Sequence, residues 1–235
     1  MIRTLLFDLD GTLLHVDMDY FLQHYFKALT KALAPYIPPK VFMKKLWEST
    51  EAMIRDTNPE KTNKDVFTEN FFNTPKYREE ELFPVFDKFY REEYGKLHKY
   101  TKKKPEAANL LQKARELGFE LVIATNPVFP RAAVDHRLTW AGVYSLEYSL
   151  VTTYENMHFC KPNLNYYQEI LEKIGRRPEE CVMVGNDAED DMVAGRLGMG
   201  TYLIDDLLVN HKGSIQVDWQ GSLAALEEEL SKLRD

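Results

Sequence analysis

The 235-residue sequence predicts an α/β protein, a doubly wound, mostly parallel sheet that carries a helical insertion after its first strand. Three observations point there. Four short apolar runs, at 4–7, 121–124, 181–184 and 201–204, have the length and texture of strands buried on both faces. From Pro105 onward such runs alternate with helical stretches, the pattern of successive βαβ units. Between the first run and about residue 105 the alternation is missing, and the chain reads as helix after helix.

The first strand, Thr4-Leu5-Leu6-Phe7, runs into Asp8-Leu9-Asp10-Gly11-Thr12. Residues i and i+2 of an extended chain point to the same side, so both carboxylates can face one small volume, and Gly11 lets the backbone turn beside them. Like charges held that close need a cation or a shared proton. Aspartates at a strand end also cap turns, and taken alone the pair fits either reading.

The insertion is expected over residues 15–100, with 1–14 and 101–235 forming the core. Within it Tyr20, Phe21, Tyr25 and Phe26, then Val41, Leu46 and Met53, then Leu82, Val85, Phe86, Phe89 and Tyr90 recur near helical spacing and are assigned to packing. The basic group Lys99, Lys102, Lys103 and Lys104 reads as a solvated linker or helix start.

Pro105 then opens a helix through Leu117 with Gly118 as its stop. Leu121 to Ala124 is a strand ending at Thr125 and Asn126, a helix covers Arg131 to Trp140, and Ser149 to Thr153 is a weaker β-prone stretch. Pro162 opens the next helix, through Tyr166, Ile170, Leu171 and Ile174 to Gly175. Cys181 to Val184 is a strand that ends in Gly185-Asn186-Asp187, Thr201 to Ile204 is the last strand, and a helix from Leu223 to Leu233 follows.

Composition narrows the function classes. A formal net charge of -7 argues against binding nucleic acid through its phosphates. No apolar stretch approaches the ~20 residues of a membrane span. Asp8 and Asp10 interrupt the early apolar segment and no small-residue cleavage site follows, so a cytoplasmic location is expected. Cys160 and Cys181 have no metal-type spacing, and the histidines form none either. His15 falls where the insertion begins and is kept out of the candidate site.

Polar residues gather at the ends of the apolar runs: Asp8 and Asp10, Thr125 and Asn126, then Asp187, Asp190 and Asp191, with Lys161 just before a helix. In this ordered set the chain resembles the haloacid dehalogenase (HAD) superfamily. Asp8-Leu9-Asp10-Gly11-Thr12 is similar to its first motif, Thr125 to the second, Lys161-Pro162 to the third, and Gly185-Asn186-Asp187-Ala188-Glu189-Asp190-Asp191 to the acidic fourth. The resemblance implies a Rossmann-like core with residues 15–100 as a cap domain that governs specificity.

It also implies roles. Asp8 would be the nucleophile that forms an aspartyl-phosphate, and Asp10 the general acid and then base. Lys161 and Mg²⁺ would offset the repulsion between carboxylate and phosphate. Gly11, Thr125, Asn126 and Lys161 would hold the phosphate. Asp8, the Asp10 carbonyl and one acidic residue of the fourth motif would hold the metal.

The fourth motif usually begins Gly-Asp, and two registers are open here. Asp187 is the preferred metal ligand, with Asp191 four residues on in support, because an amide binds Mg²⁺ less well than a carboxylate; the other register places Asn186 and Asp190 at those positions. By the same resemblance, the aspartate at position 10 implies phosphomonoester chemistry on a small phosphorylated metabolite, since family members that cleave carbon–halogen or carbon–phosphorus bonds carry other residues there. The leading expectation is a magnesium-dependent phosphatase, and the alternatives are a phosphomutase with the same nucleophile or a non-catalytic phospholigand-binding protein.

Overall fold

Thr4–Phe7 forms β1, fully buried at the centre of the sheet as its unbroken apolar run requires. The computed structural model describes residues 1–211, 213 and 216–234. Positions 212, 214, 215 and 235 fall in the stretch expected to belong to the core and lie outside the described residues. After β1 come β2 (Leu14–His15), α1 (Met18–Leu33), α2 (Pro39–Arg55), α3 (Asn63–Phe71) and α4 (Glu79–Lys88). A wider helical turn over Phe89–Glu93 and tighter ones over Tyr94–Tyr100 lead to β3 (Lys102–Lys103). The remainder is α5 (Pro105–Glu116), β4 (Glu120–Ile123), α6 (Arg131–Ala141), β5 (Leu150–Val151), α7 (Leu164–Ile174), β6 (Cys181–Gly185), β7 (Gly200–Ile204), β8 (Trp219–Gly221) and α8 (Leu223–Arg234).

Six strands pair in the order β5-β4-β1-β6-β7-β8, every pair parallel. Side chains alternate across this sheet. Leu5 and Phe7, with Leu121, Ile123, Val182 and Val184, pack with Leu110 of α5, Val134 of α6 and Leu226 of α8. Leu6, Val122 and Met183 take the opposite face and pack with Tyr166, Tyr167 and Ile170 of α7. Both faces are therefore covered by helices, as the expected doubly wound fold demands.

The helical stretch is fastened at both ends. Leu14 and His15 pair antiparallel with Lys103 and Lys102, closing a short ribbon around it. Phe21, Tyr25, Leu29 and Leu33 form the buried stripe of α1, and an Asp17 cap on the Tyr20 amide starts that helix. Tyr94 is fully buried and carries this packing onto the sheet: its ring stacks on Trp140 of α6 and meets Phe21, Tyr25, Phe89 and Phe129.

Several expectations need correction. The sheet has a sixth strand, β8, whose exposed Trp-Gln-Gly sequence lacks the apolar run of a central strand because it lies at the edge. The helix expected at Pro162 begins at Leu164, where the Asn163 side chain accepts from the Asn165 amide and supplies the cap. Val41 and Tyr20 are exposed rather than packed, since they fall off the buried stripes of their helices. Lys104 is buried, unlike its neighbours Lys102 and Lys103. No helix among the described residues is long and apolar enough to cross a membrane.

Candidate active site

β4, β1 and β6 are neighbours in the sheet, so the loops leaving their carboxyl ends converge, the usual place for a ligand in this architecture. Asp8 and Asp10 follow β1, Thr125 and Asn126 follow β4, and Asn186, Asp187, Asp190 and Asp191 follow β6. Lys161 comes from the loop that precedes α7. All of them line one cavity of about 600 Å³, together with Gly11.

At its floor sits a buried charge cluster. Lys161 Nζ donates to Asp8 Oδ1 at 2.9 Å and to Asp191 Oδ1 at 2.5 Å, with its side chain almost wholly out of solvent. Burial works against the ammonium, yet Asp191 and Asp8 outweigh it and hold its pKa well above the usual lysine range. For Asp191 burial dominates and pushes the carboxyl up despite Lys161. The other oxygen of Asp191 accepts the Asp187 amide at 3.0 Å. Gly185 makes room for this: a Cβ there would fall 2.0 Å from Asp191 Oδ2.

Asp10 has a cation of its own. Arg137, on α6, is buried and donates through Nη1 to Asp10 Oδ2 while its guanidinium lies over the Phe129 ring, 4.3 Å from the centroid. The contact is one-sided, because Asp10 Oδ1 and Arg137 Nη2 are both buried without a hydrogen-bond partner. Burial raises the Asp10 carboxyl, Arg137 opposes that rise, and Asp8 adds to it. Sequence reasoning missed Arg137. A signal was present: Ala133, Val134, Arg137, Leu138 and Ala141 form the buried stripe of α6, and an ionised residue inside an apolar stripe is seldom buried without a partner.

The turn after β1 is held from two sides. Gly11 has φ +91°, and a Cβ on it would meet the Asn186 amide group at 2.5 Å. Asn186 accepts from Thr12 Oγ1 at 3.0 Å and donates to the Leu207 carbonyl at 2.7 Å. Lys104 Nζ donates to the Gly11 carbonyl at 3.0 Å and pairs with Asp206 at 2.7 Å, which is why this one lysine of the basic group is not solvated. The Gly11 amide donates to the Leu14 carbonyl at 2.8 Å.

Asp187 lines the cavity, and its Oδ1 accepts the amides of Glu189 and Asp190 at 2.8 and 2.7 Å. Asp190 also lines the cavity, and burial raises its carboxyl to about 6. Thr125 is buried, its carbonyl held by Tyr166 and Thr152 hydroxyls, and the Asn126 side chain accepts the Lys161 amide at 3.3 Å. Lys161 engages one oxygen of Asp8 and the capping amides one of Asp187, which leaves lone pairs open on both carboxylates, so each can also meet a cation. No set of three or more His, Cys, Asp or Glu among the described residues is placed to hold a metal alone. Two carboxylates with open lone pairs at the wall of a cavity fit Mg²⁺, which keeps several waters and takes few protein ligands.

The family model described as haloacid dehalogenase-like hydrolase matches residues 2–198. A phosphoglycolate phosphatase of Aquifex aeolicus is 30% identical over 204 residues, which cover 86% of this chain and 84% of the relative. A glyceraldehyde 3-phosphate phosphatase of Methanothermobacter thermautotrophicus is 25% identical over 132 residues, 56% of this chain and 57% of the relative's length. Among solved structures, a HAD phosphatase from Thermococcus onnurineus matches with a TM-score of 0.58 at 19% identity, covering 97% of this chain and 98% of that one. The L-2-haloacid dehalogenase of Xanthobacter autotrophicus matches with a TM-score of 0.57 at 15% identity, covering 98% and 99%. These structural likenesses show a shared fold.

The Lys161 cluster makes a stability prediction. Lys161→Met leaves Asp8 and Asp191 buried with no counter-ion, and urea unfolding in metal-free buffer at pH 7 is expected to show a loss of about 3–5 kcal/mol. Burial already raises the Asp191 carboxyl above its unfolded value, and loss of the ammonium that opposes this raises it further, so the loss is greatest at neutral pH and shrinks as pH falls toward about 4. A loss that does not change with pH would contradict the charge assignment.

Proposed function

The chain belongs to the haloacid dehalogenase-like hydrolases, and we propose that it is a magnesium-dependent phosphatase that hydrolyses a small phosphomonoester through an aspartyl-phosphate on Asp8. The observation that carries this reading is the pairing of the two motif aspartates with separate buried cations, Asp8 with Lys161 and Asp10 with Arg137, at the mouth of one cavity. The names of the relatives, phosphatases of phosphoglycolate and of glyceraldehyde 3-phosphate, support a small phosphorylated substrate.

Lys161 steadies Asp8 and leaves its second oxygen for attack on phosphorus. As the new O–P bond forms, the bond from phosphorus to the ester oxygen breaks, and Asp10 gives its proton to the departing oxygen. Asp10 Oδ1, without a partner, is the oxygen suited to carry that proton. Asp10 then takes a proton from water as it attacks the phosphorus of the intermediate, releasing phosphate and restoring Asp8.

Thr125 and Asn126, with the remaining donor of Lys161, hold the phosphate oxygens. Gly11 serves the turn, its amide and carbonyl both being engaged within the protein. Asp8 and Asp187 through carboxylate oxygens and Asp10 through its carbonyl would hold Mg²⁺, with Asp191 in support. The ion supplies positive charge against the anionic phosphate. Residues 15–100 act as the cap over a core of 1–14 and 101–235, with Asp17, Met18 and Asp19 at the cavity wall.

Phosphate release from a panel of small phosphomonoesters is expected in Mg²⁺ and not after chelation, and Asp8→Asn is expected to lower it by at least about a thousandfold with the fold retained. Full activity in that variant would reject the nucleophile. Arg137 gives a pH test. It lowers the Asp10 carboxyl, so Arg137→Met raises it further, and the alkaline limb of kcat/KM, where Asp10 loses its proton, moves to higher pH. Arg137→Lys keeps the charge and should restore the limb. An unmoved limb in Arg137→Met separates Arg137 from the proton transfer.

A further inference from the structure

A second cavity adjoins the carboxylate site. Its volume is about 290 Å³, roughly twice the ~150 Å³ that accommodates benzene in an apolar core. Met18, Val128 and Phe129 line both cavities, which makes the two spaces neighbours across these three side chains. Its walls come from α1, α2, α3 and α4 on one side and the segment 128–130 after β4 on the other, and they are mostly aromatic and aliphatic.

Two features show what this chamber can hold. Glu51 is the one ionised side chain among the described residues lining it, and Glu51 already accepts from Arg55 at 2.7 Å. The Tyr25 and Tyr90 hydroxyls bond each other at 2.7 Å. The Thr50 and Tyr154 hydroxyls complete the polar lining, so a charged or many-hydroxyl group placed here would shed its water for few partners. At the outer rim, Trp47 is 62% exposed and Ile54 41% exposed, apolar surface left open on the same face of α2.

We infer that this chamber receives the leaving group of the phosphomonoester, and that this group is an uncharged aryl or medium-chain alkyl alcohol. The inference rests on the phosphatase reading and adds the substrate class. A phosphate held at Asp8 and Lys161 directs its ester substituent past Met18, whose flexible thioether chain can yield, between Val128 and Phe129 and into the aromatic walls. Burial of apolar surface then supplies specificity, with the charged contacts confined to the phosphate.

The test is a series of n-alkyl phosphates from methyl to octyl, with 1-naphthyl phosphate and 2-phosphoglycolate alongside. A buried methylene contributes about 0.8 kcal/mol, so kcat/KM should rise up to about fourfold per added carbon until the chamber is full. Both 1-naphthyl and octyl phosphate should exceed 2-phosphoglycolate. Thr50→Trp, which fills the chamber from α2, should reduce the octyl-to-methyl preference by about tenfold or more, with thermal melting checking the fold. Equal turnover of methyl, octyl and glycolate esters would overturn the chamber assignment and leave the phosphatase reading standing. Calorimetry with n-alkyl phosphonates, which have no ester bond to hydrolyse, separates the other failure. Affinity that climbs with chain length while no ester releases phosphate would sustain the chamber and reject the phosphatase, and affinity independent of chain length would overturn the chamber by itself.

Discussion

Two buried carboxylates, a third largely covered one and two buried cations share the carboxyl end of the central strands, and much of the local structure keeps that cluster shielded and paired. Lys161 bridges Asp8 and Asp191, and Arg137 takes Asp10. Desolvating such ions costs several kcal/mol each, and only close pairing with further hydrogen bonds recovers it. The neighbouring choices follow from this. Gly185 lets Asp191 fold beneath the strand end, Gly11 lets the first turn approach Asn186, and Lys104 ties that turn down through its carbonyl. Carboxyl groups outnumber the protein's own cations there, an arrangement suited to an added cation.

Much of this was legible in the chain. Asp8 and Asp10 stood out because an apolar run ends on them, and Thr125 and Asn126 for the same reason after β4. Lys161 and the acids after β6 became meaningful through their order, since each alone has an ordinary surface reading. Arg137 belongs to no motif and is marked only by its position among Ala133, Val134, Leu138 and Ala141 on the buried stripe of α6. Lys104 had no local signal. Its burial depends on Gly11 and Asp206, which are distant in sequence. The strand β8 escaped because an edge strand need not be apolar on both faces. In the fourth motif, geometry separates the neighbours: Asn186 braces the first turn, Asp187 caps and lines the cavity, and Asp191 meets the lysine.

The helical stretch and the sheet share one packed interior. Tyr94 and Phe129 link rings of α1 and the turns after α4 to α6, and Phe129 also supports the Arg137 guanidinium. Phe129 therefore touches the packing, the cation that holds Asp10, and the wall between the two cavities.

The most direct measurement is rapid acid quench of the enzyme during turnover of an aryl phosphate in Mg²⁺, followed by peptide mass spectrometry. One phosphoryl group on the peptide that contains Asp8, accumulating before free phosphate and missing in Asp8→Asn, is the expected result. Steady phosphate release with no phosphorylated peptide at any quench time would contradict the nucleophilic role of Asp8, and with it the reading of the charge cluster as a phosphoryl-transfer site.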